Sequence, residues 1–228
     1  MNVESFYNQI SSEYTEMLER LVPRYREMLW MILNYIPEDL SPKRIVDLGC
    51  GTGNLSEGIL MQYPDAKLIG VDLSASILAE AATRLKNYSN ISYLNEDFNS
   101  LEFEENSIDL IVSSIALHHL TDPQKEKLLQ KIYSWLTPGG VLIFGDQFAG
   151  STETRYQQHI DNWKLTSEGK NVPDSEWQLW MEHQEKHDYH TTIENYFNWC
   201  RHIGFKNSDV VWRYYLWTVF ITHKNTSK

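Results

Sequence analysis

Apolar positions in the middle third of the chain alternate between two periods. Short β-branched runs occur at 44–48 (RIVDL), 67–71 (KLIGV), 91–94, 108–112 (IDLIV) and 141–144 (VLIF). Between them lie stretches with helical spacing at 54–62, 74–86 and 123–136. In the second, Ser74 is the expected N-cap, and Ile77, Leu78, Ala81 and Leu85 share one face. In the third, Asp122 is the expected N-cap with Pro123 at the first helical position, and Thr137-Pro138-Gly139-Gly140 ends the pattern. Continuous apolar strands alternating with amphipathic helices predict a parallel sheet covered on both faces, a doubly wound, Rossmann-like α/β fold.

Both ends depart from this pattern. Residues 1–40 predict helices, with Met17, Leu18 and Leu21 and then Tyr25, Met28, Leu29 and Ile32 at helical spacing. Six of the eight Trp and six of the eight His fall after residue 150, so the region 150–190 is chemically distinct from the core. A helix near 192–202, a stop at Gly204 and strand-like runs at 209–212 and 215–222 close the chain. The expected organisation is one domain over 1–228. Residues 1–40 and 150–190 form a helical cap on a core of 41–149, and 191–228 add a helix and strands.

Charge narrows the chemistry. Lys and Arg number 20 against 31 Asp and Glu, a formal net charge of −11, which disfavours nucleic acid and anionic membranes as partners. With two cysteines, Cys50 and Cys200, a disulfide framework is out of reach and a reducing compartment is expected. The opening residues lack a basic segment followed by an apolar run, and no stretch of about 18 apolar residues occurs. The expectation is a soluble cytoplasmic protein; a homodimer stays open as its assembly.

The strongest chemical signal is IVDLGCGTGN, 45–54. A strand ends, Gly49, Gly51 and Gly53 alternate, and a helix begins at once; such glycines let a ligand lie against the main chain. The third glycine of a dinucleotide fingerprint would fall at position 54, which is Asn, and no Walker lysine follows. Cys50 inside the loop is expected to contribute its backbone only, since nothing basic adjoins it. At the end of the next strand Asp72, followed by Leu73, can accept ribose hydroxyls. After the third strand Asp97 can receive an adenine amino group while Phe98 packs the ring. After the fourth come Ser114 and the pair His118 and His119, either of which can take a proton from an acceptor. Each group falls at the C-terminal end of a strand, where open parallel sheets bind ligands.

These motifs, VDLGCGTGN, GVDLS, NEDF, IVSSIALHHL and LTPGGVLIF, resemble the class I S-adenosylmethionine-dependent methyltransferases over residues 40–148. A wider likeness, through Val22-Pro23-Arg24-Tyr25, KIYSWLTPGG and GFKNSDVVWRYYLWTVFITHK, is to the carboxy-S-adenosylmethionine synthases of the tRNA wobble-uridine pathway. The resemblance implies a seven-stranded sheet with an antiparallel last strand, and S-adenosyl-L-methionine as cofactor. It maps cofactor contacts onto Tyr25, Gly49, Cys50, Gly51, Asp72, Leu73, Asp97, Phe98 and Ser114. Two departures matter. Ser114 stands where the synthases have Asn, and the arginine they use to hold the extra carboxylate has no counterpart, since no Arg lies between Arg155 and Arg201. Ordinary methyl transfer to a small molecule is therefore expected. Cofactor synthesis, a tRNA methyltransferase and a non-enzymatic cofactor-binding subunit are the alternatives.

His183, His187 and His190 form a last group. His183 and His187 stand four apart, one helix face, but HQEKH lacks the glutamate of a zincin motif. A metal site, a substrate lining and a solvated polar helix stay open, and no metal is assigned. The many Trp and Tyr residues of the cap and C-terminus are expected to be mostly core.

Overall fold

The computed structural model describes residues 14–226. Seven strands, β1 Arg44–Leu48, β2 Lys67–Asp72, β3 Ile91–Asn95, β4 Ile108–Ser114, β5 Leu136–Gln147, β6 Lys206–Tyr214 and β7 Trp217–His223, form one sheet in the order β3-β2-β1-β4-β5-β7-β6. β1 to β5 pair in parallel, and β7 runs antiparallel to both β5 and β6. The strand order reverses between β1 and β4, and the crevice at that switch is where such a sheet takes a ligand.

Side chains alternate between two buried faces, as expected of central parallel strands. Ile45, Leu110, Val112 and Ile143 join one cluster; Val46, Leu48, Ile111 and Phe144 join the other. Helices α1 Tyr14–Leu21, α2 Tyr25–Asn34 and α3 Asn54–Gln62 cover the first face. Gly145 on β5 admits α2 there, because a Cβ would lie 2.9 Å from Met28 Cγ and 3.0 Å from Ile32 Cδ1. Helix α4, Ala75–Arg84, starts on Ser74 as expected, whose Oγ accepts from the Ile77 amide. The second face packs against α5 Asp122–Trp135 and α8 Ile193–Ile203, the latter ending on Gly204 in a left-handed conformation.

Local departures have physical causes. The N-cap of α5 is Thr121 and not Asp122: Gln124 reaches back to the Thr121 amide (2.9 Å), leaving Asp122 in the first turn. The Thr137-Pro138-Gly139-Gly140 segment lies within β5 as an irregularity, since Leu136 pairs with Ile108 and pairing resumes at Val141 with Leu110. β3 is a half-exposed edge strand.

Helices α6 Glu153–Gly169 and α7 Asp174–His187 fill the 150–190 region. Trp163 of α6 is fully buried, donates to the Leu21 carbonyl (2.7 Å), and stacks edge-on against Trp177 and Trp217, each 4.7 Å between centroids. Arg20 of α1 pairs with Glu176 of α7 at 3.1 Å. No helix among the described residues is long and apolar enough to cross a membrane. Trp163→Ala should cost about 3–5 kcal/mol, from lost ring contacts and an orphaned carbonyl. Urea unfolding measures it; a loss well below that range would mean that α6 does not depend on this anchor.

Candidate active site

The loop after β1 is held from below by the end of β2. The amides of Gly49 and Cys50 both donate to the Val71 carbonyl (2.8 and 3.0 Å). Asp72 then divides its carboxylate between two backbone donors, Gly51 N to Oδ2 (3.0 Å) and Ser74 N to Oδ1 (2.9 Å). A carboxylate has about four acceptor sites, so acceptor capacity is left over for a ligand. Gly49 has φ +69°, and a Cβ there would lie 2.2 Å from Ala116 Cβ, so the loop touches the turn after β4 with no room for a side chain.

A cleft of about 880 Å³, partly open to solvent, lies above these strand ends. Gly49, Gly51, Asp72, Leu73, Asp97, Phe98 and His119 of the expected site residues line it. Asp97 Oδ1 also accepts from the Asn99 backbone and side chain (2.6 and 2.7 Å), which shapes the turn carrying Phe98. A smaller lobe, sharing Gly49 and Gly51, is lined by Tyr25, Cys50 and Ser114. Tyr25 is buried under α1, its hydroxyl 3.2 Å from Asn54 Nδ2, and burial raises its pKa to about 12. Burial likewise lifts the Cys50 thiol well above its ordinary value, in keeping with a backbone role. Gly53 lines neither lobe; it caps α3 at φ +84°, where a Cβ would meet Leu85.

The smaller lobe contains a residue that motif reading passed over. Asp47, on β1, is fully buried; its Oδ2 takes the Ser56 hydroxyl (2.6 Å) and its Oδ1 has no hydrogen-bond partner. Desolvation, only partly offset by Ser56, pushes its pKa up to about 7. A buried carboxyl with an open oxygen at a ligand lobe suits a cationic group. Its place in VDLG, directly before the glycine loop, was the signal available in the sequence.

The two histidines after β4 have different fates. They sit on a short 3-10 turn, Leu117–His119. His118 points away from the cleft: Nδ1 lies 2.6 Å from Asp146 Oδ1, and Nε2 3.7 Å from Asp188 Oδ1. It is thus no direct contact for an acceptor in the cleft. His119 lines the cleft and sets Nδ1 3.0 Å from Asp188 Oδ1. His183 of α7 is buried, 5.5 Å from the His119 ring, and His190 is buried with Nδ1 2.7 Å from the Tyr156 hydroxyl. The solvated-helix reading therefore fails for His183, and Asp188, which sequence spacing did not single out, is the hub of the group. Burial depresses both His183 and His190 to about 4. Burial would raise the Asp188 carboxyl, but His118 and His119 outweigh it and hold it below the usual range.

Comparison with known proteins accords with this geometry. Residues 45–140 match the methyltransferase domain family model. Carboxy-S-adenosyl-L-methionine synthase of Helicobacter pylori (strain Shi470) is 28% identical over 225 residues, covering 96% of this chain and 93% of the relative. The synthase of Trichodesmium erythraeum (strain IMS101) is 29% identical over 227 residues, covering 89% and 88%. Among solved structures, a chain of the complex between the Haloferax volcanii Trm112 methyltransferase activator and a methyltransferase superposes with TM-score 0.73 at 15% identity, covering 99% of each chain. Human N-acetylserotonin methyltransferase, in complex with S-adenosylmethionine, superposes with TM-score 0.65 at 19% identity over 98% of this chain and 57% of that one. The resemblance read from the motifs stands: residues 45–140 match a methyltransferase domain, and the relatives over nearly the whole chain support an S-adenosylmethionine-dependent enzyme. The two-lobed cleft, with its glycine cradle and buried carboxylates, fits that cofactor.

The loop–turn contact is directly testable. Gly49→Ala should cost about 1–3 kcal/mol, from a positive φ and the collision with Ala116. Ala116→Gly in the same chain should return the steric part and leave the backbone strain, a positive coupling in a double-mutant cycle measured by denaturation. Strict additivity would show that the two residues do not touch.

Proposed function

We propose that the chain transfers the methyl group of S-adenosylmethionine to a small-molecule acceptor lying between the glycine loop and His119. Charge carries this reading. Asp47, Asp72, Glu96 and Asp97 line the two lobes, and among the described residues neither lobe is lined by Lys or Arg. Such a cleft attracts a cationic cofactor and repels a phosphate-bearing macromolecule.

When bound, the cofactor supplies a methyl on a positively charged sulfur, which leaves by in-line displacement. The protein's residues orient and desolvate the reacting pair. Asp72 receives the ribose hydroxyls, and Phe98 with Asp97 receives the adenine in the larger lobe. Gly49 and Gly51 let the chain of the cofactor pass to the smaller lobe. There Asp47 takes the ammonium, with Tyr25 and Ser114 beside it. His119 is the side chain of the histidine group that meets the acceptor.

The likeness to carboxy-S-adenosylmethionine synthases over nearly the whole chain favours a second reading, in which the cofactor itself is carboxylated. Against it stands the absence of any lining guanidinium or ammonium among the described residues to pair an added carboxylate. Incubation with S-adenosylmethionine and prephenate, followed by mass spectrometry, should yield no carboxylated cofactor. Its appearance would replace methyl transfer by cofactor synthesis.

Cofactor binding should depend on pH through Asp47. In the free protein this carboxyl titrates at about 7. A cationic ligand selects the ionised form, so the dissociation constant should rise about tenfold for each pH unit below that value and level off above it. Asp47→Asn should bind more weakly at high pH and lose the dependence. Calorimetric titration with S-adenosylmethionine on both sides of neutrality checks this; a flat wild-type profile would place the ammonium away from Asp47.

A further inference from the structure

Beside the cleft, and apart from every cofactor contact assigned above, four imidazoles converge on one buried carboxylate. Measured to Asp188, His119 Nδ1 lies at 3.0 Å, His118 Nε2 at 3.7 Å, His190 Nε2 at 3.9 Å and His183 Nε2 at 4.0 Å. Donor atoms of His118, His119 and Asp188 all fall within 4.8 Å of one another. Two ligands of one transition-metal ion, each about 2.0–2.2 Å from it, stand about 3–4 Å apart. Most of the separations are too long for hydrogen bonds and suit a shared ion. One of the inward atoms, His190 Nε2, is buried with no hydrogen-bond partner.

The outer nitrogens of two rings are engaged, and at His118 the partner is a carboxylate, which turns the other lone pair inward. Asp146 Oδ1 lies 2.6 Å from His118 Nδ1, and its Oδ2 accepts from the Leu117 and His118 amides (2.7 and 3.1 Å), so that ring cannot rotate. Tyr156 occupies His190 Nδ1 at 2.7 Å. A carboxylate that accepts from the outer nitrogen of a histidine, as Asp146 does from His118, fixes the tautomer whose other nitrogen binds a metal. The segment carrying Asp188 and His190 is tied down as well. The Tyr189 amide donates to the His118 carbonyl (2.7 Å), and the Ala149 amide to the Thr191 carbonyl (3.0 Å). Lys125 holds the Tyr189 carbonyl and, at 2.8 Å, the Thr191 hydroxyl.

We propose that His118, His119 and Asp188 are the primary ligands of a divalent first-row transition-metal ion, with His183 and His190 placed to complete its coordination. A nitrogen-rich set with one carboxylate selects zinc, ferrous iron or cobalt over magnesium and calcium, which take oxygen ligands. Because His119 lines the cleft, an ion bound there polarises an oxygen of the acceptor and eases loss of its proton. This last role rests on the methyl-transfer reading; the site itself does not.

The test begins with untagged protein, purified without metal-affinity steps and analysed by inductively coupled plasma mass spectrometry. One zinc or iron per chain is expected. After chelation, Co²⁺ should restore one equivalent and give visible d–d absorption. X-ray absorption of the wild-type protein should show imidazole scattering from at least two histidines. Asp188→Asn and His119→Ala, checked for native circular dichroism, should lose at least tenfold in Co²⁺ affinity, whereas His187→Ala should not. Neither retained metal nor saturable binding of Zn²⁺, Fe²⁺ or Co²⁺ would overturn the proposal, as would an absorption spectrum without imidazole ligands. Calorimetry with S-adenosylmethionine on the same preparations separates the two readings. Cofactor binding without metal sinks only the ion; metal without cofactor binding sinks the cleft assignment.

Discussion

The site depends on one buried carboxylate. Asp146, at the end of β5, accepts the amides of Leu117, His118 and Gln147 and faces His118 Nδ1. Those contacts stop the chain after β4 from continuing outward and fold it into the tight turn Leu117–His119. The same turn presses Ala116 against Gly49 and sends His118 and His119 in different directions, one into the core and one to the cleft. Burial alone would raise the Asp146 carboxyl; His118 and the surrounding donors outweigh that and hold it ionised. Removing such a group leaves several buried N–H donors unpaired together, at about 1–3 kcal/mol each, so the turn and the ligand wall stand or fall as a unit.

Carboxyls at equal depth take opposite charge states because their neighbours differ. Asp47 and Asp188 are both removed from water, yet one is pushed up to about 7 and the other is held low. Asp47 has a single hydroxyl donor and another carboxylate, Asp72, nearby, so desolvation prevails. Asp188 sits among imidazoles that supply protons and partial positive charge, so partnership prevails. The floor of the cleft is therefore poised to gain a cation, while its far wall already concentrates nitrogen ligands. An acceptor entering between them meets a negative surface on one side and His119 on the other.

Much of this was legible before the structure. The alternation of β-branched runs with amphipathic helices marks the parallel core, because strands buried on both faces must be continuously apolar. Gly49, Gly51, Asp72 and Phe98, which line the cleft, are legible because they sit at strand ends fixed by that alternation, whereas Gly53 serves the helix cap. The α5 cap is harder to read: Thr121 and Gln124 carry a capping-box spacing, but Asp122 before Pro123 is an equally good local cap signal, and the Gln124 side chain decides between them. Asp47 and Asp146 were hidden inside apolar runs, where an acidic residue reads as a strand interruption. The histidine group was hidden for a different reason. His183 and His187 share a helix, so local spacing pairs them, but the partner that gathers the rings is Asp188, beyond the helix end. Only tertiary contact brings it beneath His118.

That tertiary contact also explains why a polar cluster persists where an apolar one would be easier to bury. Residues 188–191 cross from the cap to the core, and three of their backbone polar groups, Tyr189 N, Tyr189 O and Thr191 O, bond to it. Tyr189 N goes to His118, its carbonyl to Lys125, and Thr191 bridges Phe148 and the Asp122 carboxylate. Apolar side chains at 188 and 190 could fill the same volume, but they would fix no register between strap and turn. Ion pairs and hydrogen bonds do, because they fail if the strap shifts by one residue. The strap thus holds His119 at the mouth of the cleft and His183, His190 and Asp188 behind it. The specificity of the cap–core junction and the chemistry of the far wall are one set of contacts.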